Sequence, residues 1–292
     1  MNTQAERTVA MNRRVSKIVP GTATSDGAGV RLTRYIGDPR LDRLDPFLLL
    51  DKMHSDQAGD YIAGFPEHPH RGFETVTYLL AGRMRHADSK GHEGVIEPGG
   101  VQWMTAGRGI LHSEMPEQQD GLLWGYQLWI NLPASEKMSE PRYQEYSPEK
   151  VPVERRDGGV EVRVIAGCTG AGSTGPVNAV STEPVYMDVF LPEGGVFEET
   201  LAATHNAFLH VAEGGLIVDG GAPGDSTDVP SGSLAVLGPG ERIVIRGRAT
   251  TTRFLLIAGK PLNEPVARMG PFVMNTRAEI LQAYRDFEAG TF

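Results

Sequence analysis

Residues 66–82 read PEHPHRGFETVTYLLAG. His68 and His70 stand one residue apart, Glu74 follows four positions later, and the segment then turns apolar as far as Gly82. On an extended chain residues i and i+2 face the same way, so a strand here projects both imidazoles onto one face. The same parity, continued along a single strand, puts Glu74, Val76 and Tyr78 on that face too. A second stretch, GILHSE at 109–114, repeats the device with His112 and Glu114. If both stretches are strands of one barrel with these faces turned inward, three imidazoles and one or two carboxylates converge.

That donor set suits a divalent first-row metal. The single cysteine, Cys168, provides no thiolate set for a structural zinc site. Three histidines and one glutamate fill four positions, and an octahedral ion keeps two more for substrate and oxygen. One His-x-His alone more often marks surface or hydrogen-bonded core histidines. A second pair that joins His with Glu favours the metal. His86 and His92 lie in the polar run RHADSKGHEG and are expected in solvent. His54, His205 and His210 have no partner at ligand spacing.

The rest of the chain reads as β-structure. Thirty-six glycines and 20 prolines punctuate short apolar runs, the texture of an all-β protein with many turns. The second half repeats the first in one register: Gly82 and Gly214, Pro98 and Pro230, and Phe65 and Phe197 are each 132 positions apart. A duplicated β-unit follows, with one barrel in about residues 1–140 and a second in 141–292. Residues 1–26 read as a loose lead-in. Near the end, Thr276 and Glu279 have capping-box spacing and Ile280, Ala283, Tyr284 and Phe287 recur at helical intervals. They predict an amphipathic helix over about 277–288 that packs on a sheet.

A net charge of −9 offers no positive excess for nucleic acid or a membrane surface. The start, MNTQAERTVAMNRRVSKIVPG, lacks the apolar core of a secretory signal, and no apolar run approaches the roughly 20 residues that span a bilayer. A soluble, cytoplasmic protein in a reducing compartment is expected.

HPHRGFETVTYLLAG, PGGVQWMTAGRGILHSEMP and GPFVMNT together resemble the pirin family of the cupin superfamily, over about residues 27–288. The resemblance implies a bicupin: two tandem antiparallel β-barrels, with one divalent metal per chain in the first. Iron(II) is the implied ion; Mn, Co, Ni, Cu and Zn suit the same donors. The implied ligands are His68, His70, His112 and Glu114. The implied activity is that of a quercetin 2,3-dioxygenase, an oxidoreductase that cleaves a flavonol with O2 and releases carbon monoxide. Its alternative is an iron-dependent redox-sensing regulator acting through a protein partner. A monomer is expected.

Departures from the general cupin pattern bear on the carboxylates. Gly64 sits four residues before His68, and Glu74 holds the place of the usual glutamate ligand. With Glu114 as the implied ligand, Glu74 is expected to hydrogen-bond one of the histidines and fix its tautomer. Glu114 is the candidate base for the substrate 3-hydroxyl and Glu74 the alternative. Phe65, Phe73, Trp103, Met104 and Trp124 are candidate pocket walls. The 132-residue offset carries His68, His70, His112 and Glu114 to Thr200, Ala202, Val244 and Arg246, so the second barrel is expected to hold no metal.

Overall fold

The computed structural model describes residues 11–292; the reading of the first ten residues lies outside them. Strands dominate, and the two halves repeat one another strand by strand. In the first half, Phe65–His70, Ile110–Pro116, Met84–Asp88 and Glu93–Ile96 form a four-stranded sheet in that order. It faces a seven-stranded sheet in which Val101–Thr105, Phe73–Ala81, Leu123–Asn131 and Phe47–Ser55 lie side by side. In the second half Val196–Thr200, Arg242–Gly247, Gly215–Asp219 and Ser226–Pro230 repeat the small sheet. Ser233–Leu237, Asn206–Glu213, Thr251–Gly259 and Val185–Pro192 repeat the large one. The fold is thus all-β with two tandem cupin barrels.

The division at residue 140 is corrected at two strands. Val15–Pro20 runs antiparallel to Ser233–Leu237 and forms an edge of the second large sheet. Arg142–Tyr146 pairs with Val101–Thr105 at the corresponding edge of the first. Each large sheet thereby takes an outer strand from within the other barrel's span, which pairs the amides of the strand inside it. The lead-in 1–26 accordingly contains strands at Val15–Pro20 and Thr22–Asp26.

The large sheets pack against each other, which makes strand Phe73–Ala81 nearly continuous in its burial. Val76 and Tyr78 face the second barrel: Val76 lies in a core shared with Phe208 and Ile257, and the Tyr78 hydroxyl donates to Asp188 at 2.6 Å. Arg253 holds the same carboxylate through two hydrogen bonds of 2.9 and 2.6 Å. Phe47 meets Phe208 edge-on across the interface, with ring centroids 5.2 Å apart.

The interiors differ. Ala207, Leu209, Ile243, Ile245 and Leu256 fill the second barrel. Thr77 pairs in register with Gln127 in the first barrel as Leu209 pairs with Leu256 in the second. An apolar interior in one copy and a polar one in the other separates a scaffold from a site.

The C-terminal helix, Arg277–Glu288, matches its sequence reading. Thr276 caps it: its hydroxyl accepts from the Glu279 amide at 3.3 Å, and Glu279 accepts from the Thr276 amide at 2.8 Å. Ile280 and Ala283 are buried against Phe272 and Met274. No helix among the described residues is long and apolar enough to cross a membrane.

Candidate metal centre

His68 and His70 end one strand of the small sheet, and His112 lies directly opposite His68 on the next. Their imidazoles form a cluster whose potential ligand atoms lie within 4.8 Å of one another. The Nε2 atoms of His68 and His70 are 3.0 Å apart, and His68 turns Nδ1 to the Pro66 carbonyl at 2.8 Å. His70 presents Nε2 in the same way, and its buried Nδ1 has no well-formed hydrogen bond, with the Pro271 carbonyl nearby. For His68 the backbone acceptor places the free lone pair on the nitrogen that points into the cluster.

His112 is 1% exposed, and neither ring nitrogen has a hydrogen-bond partner. Buried polar atoms are almost always paired, so an orphaned imidazole beside two others calls for a partner outside the chain. Burial and the neighbouring His68 push its pKa down to about 3. Burial, with His112 and His68 close by, holds that of His70 well below the usual range. The neutral imidazole is the form that binds a divalent cation, and the residues present fit one.

Glu114 lies two residues beyond His112 and is 2% exposed. It lines the same cavity as His68 and His70 but stands outside the three-imidazole cluster. Oε1 is 2.6 Å from the Thr77 hydroxyl, and Oε2 accepts from the Gln127 amide at 2.8 Å. Thr77 is also 2.8 Å from Gln127 Oε1. The three side chains thus close a ring. The Thr77 hydroxyl carries one hydrogen and faces two oxygens, while the Gln127 amide donates to the other carboxylate oxygen.

Glu74 is not where parity along a single strand placed it. Gly72, with φ +86°, lets the chain leave the small sheet after His70 and begin the large one at Phe73. A Cβ there would sit 2.0 Å from the Val273 carbonyl oxygen, so only glycine fits. The shift reverses the parity: Thr77 turns to the site, while Val76 and Tyr78 turn to the second barrel. Glu74 Oε1 accepts from Thr105 at 2.7 Å and Glu74 makes no hydrogen bond to an imidazole. The expectation that it orients a ligand is corrected. His86 is also corrected: it is 4% exposed, on strand Met84–Asp88, with Nε2 2.6 Å from Glu145. His92 is exposed, beside Asp88 at 3.1 Å.

The cavity in front of the imidazoles measures about 580 Å³, within the range of small-molecule sites. Leu32, Leu49, Met53, Phe65 and Trp129 give it apolar walls. Of the five candidate wall residues only Phe65 lines it. Phe73 packs behind His70 at 5.0 Å, and Trp103, Met104 and Trp124 belong to core or interface. Trp129, missed in the sequence, lies 5.2 Å from the His70 ring, centroid to centroid. Thr77 and Gln127 were missed too, although the 132-residue offset, which carries Thr77 to Leu209, was a usable signal.

The offset carries ligand positions to Thr200 and Arg246, which are exposed, and to Ala202, which lies beyond strand Val196–Thr200. The inward positions there are Phe197, Glu199, Ile243 and Ile245, and Glu199 is held by Arg156 at 2.7 Å.

Comparison with known proteins agrees with this architecture. The Pirin family profile matches residues 29–130, and the profile of the Pirin C-terminal cupin domain matches residues 186–292. A Pirin-like protein of Caulobacter vibrioides is 54% identical over 280 residues, covering 96% of this chain and 99% of the relative. Human Pirin is 43% identical over 279 residues, with 94% and 92% covered. A crystal structure of quercetin 2,3-dioxygenase from Acinetobacter baumannii superposes with a TM-score of 0.86 at 33% identity, over 96% of this chain and 98% of that one. With two barrels, a histidine cluster in the first only among the described residues, and profile matches to both halves, the chain belongs to the pirin family of bicupins.

Proposed function

We propose that the protein is a metal-dependent dioxygenase that cleaves a flavonol of the quercetin type with O2. The observation that carries this reading is the cluster of His68, His70 and His112, of which His68 and His70 line a cavity with apolar walls. His68, His70 and His112 would hold the ion, with Glu114 as the fourth donor or as the base beside it. Iron(II) is the preferred ion. When bound, such an ion supplies Lewis acidity toward a substrate hydroxyl and redox chemistry with oxygen.

The chain's own residues do the rest. Trp129, Phe65 and Leu49 would hold a flat ring system against the imidazoles and exclude water. Glu114 faces the same space and would accept the proton of the 3-hydroxyl. Thr77 and Gln127 donate to that carboxylate and hold it in place beside the imidazoles.

The test is to load the metal-free protein with Fe(II), Mn(II), Co(II), Ni(II) or Cu(II) in turn and follow quercetin loss together with oxygen uptake. Turnover above about 1 s⁻¹, at the low end for enzymes, that is lost in His70→Ala supports the reading. Metal binding without turnover of quercetin by any of the five overturns it.

A further inference from the structure

The C-terminal segment reaches the first barrel. Arg71 follows His70 directly and is 3% exposed. Its Nε donates to the Arg108 carbonyl, its Nη1 lies 2.7 Å from Asp286 near the end of the helix, and its guanidinium stacks 4.4 Å over the ring of Phe292. Phe292 also covers Gly109, where a Cβ would come within 2.5 Å of its ring. The two chain links that carry the histidines, 70–72 and 108–112, are thus gripped from one side.

The backbone adds to the grip. The Arg71 amide donates to the Pro271 carbonyl at 3.3 Å and the Val273 amide to the Arg71 carbonyl at 3.0 Å. Buried Lys137 donates to the Gly72 and Val273 carbonyls at 2.7 and 3.1 Å. Pro271 faces the His70 ring and, with Gly270 and Arg268, walls the cavity.

We propose that the hairpin and helix of residues 267–292 are a positioning element of the first barrel's metal centre, with Arg71, Asp286 and Phe292 as its positioning residues. They act on His70 through the backbone and touch neither ion nor substrate. Because coupling between two sites is reciprocal, an ion on the histidines tightens the helix by the same factor by which the helix tightens the ion. The inference needs the three imidazoles to bind a metal, as proposed above, but not the oxygenase chemistry.

Co(II) is the probe, since its visible spectrum reports ligand geometry. Its dissociation constant is measured by chelator competition for the wild type, Phe292→Ala, Asp286→Asn and Leu281→Ala, the last changing an exposed helix residue away from the clamp. The expected result is about tenfold to hundredfold weaker binding for the first two, the usual cost of losing a group that orients a ligand, with an altered Co(II) spectrum. Leu281→Ala stays within twofold and Asp286→Glu recovers part of the loss. Hydrogen exchange of the 277–288 amides slows when Co(II) is added to the wild type. If Phe292→Ala does not fold, Phe292→Leu takes its place.

Affinity within twofold of wild type in both clamp variants, or equal weakening in Leu281→Ala, overturns the proposal while leaving the oxygenase reading intact. A wild type that binds no Co(II) overturns both.

Discussion

The Nε2 atoms of His68 and His70 face each other at 3.0 Å, and buried His112 beside them has no hydrogen-bond partner for either ring nitrogen. Such an arrangement is costly without a cation, because an unpaired buried polar group forfeits its hydration. His112→Leu should therefore separate function from stability. The metal-free variant is expected to melt no lower than the metal-free wild type, and to gain up to about 1 kcal/mol. Its metal affinity is expected to fall at least a hundredfold. Calorimetry of the two metal-free proteins, with chelator competition for affinity, checks both halves.

Metal binding should stabilise the protein by mass action, and only at one site. At a free concentration one hundred times the dissociation constant, the gain is about 2.7 kcal/mol. Phe197, Ile243 and Ile245 fill the corresponding interior of the second barrel, so the expected stoichiometry is one ion per chain. Titration with elemental analysis measures it, and two ions per chain, or a thermal shift that survives in His70→Ala, would contradict it.

Much of this site was legible because its signals are local. The i, i+2 spacing of His68 with His70 and of His112 with Glu114 needs only an extended chain, and the capping box at Thr276 needs only four residues. The partners of Glu114 were not legible: Thr77 is 37 residues away from it, Gln127 is 13, and both meet it only once strand register is known. Glu74 misled because parity was carried through Gly72, where the chain changes sheets. The exchange of edge strands was hidden for the same reason, since Lys17 finds Val236 across the whole chain.

Thr77 and Gln127 should matter to turnover more than to metal binding. Thr77→Val keeps the shape of the side chain and removes the hydroxyl that bridges Glu114 and Gln127. It is expected to lower kcat by about tenfold to a hundredfold, the range for losing part of general base catalysis, with the metal dissociation constant within threefold of wild type. Glu114→Gln should lower kcat at least as far. An unchanged kcat in Thr77→Val would show that the ring around Glu114 is only packing.

Between the barrels, His210 gives a stability effect with a defined sign. It is fully buried on strand Asn206–Glu213, with ring centroids 4.3 Å from Tyr35 and 5.2 Å from Tyr126 in the first barrel. Neither of its nitrogens has a well-formed hydrogen bond. Burial pushes its pKa from the ordinary 6.5 down to about 3, helped by the charge of Lys52, and the Ser233 carbonyl is the opposing influence. Between those two values the unfolded chain binds a proton that the folded chain refuses, so stability falls as pH drops below 6.5 and levels off near 3. At pH 5 the cost is about 2 kcal/mol from this residue. His70 and His112 add losses of the same sign in the metal-free protein, so the comparison that isolates His210 is the difference in slope between wild type and His210→Gln. Urea unfolding of both from pH 7.5 to 5 should show the variant losing about 2 kcal/mol less, whatever its stability at pH 7.5. Parallel curves would mean that His210 accepts its proton inside the fold, and that the interface opens to water well before the barrels come apart.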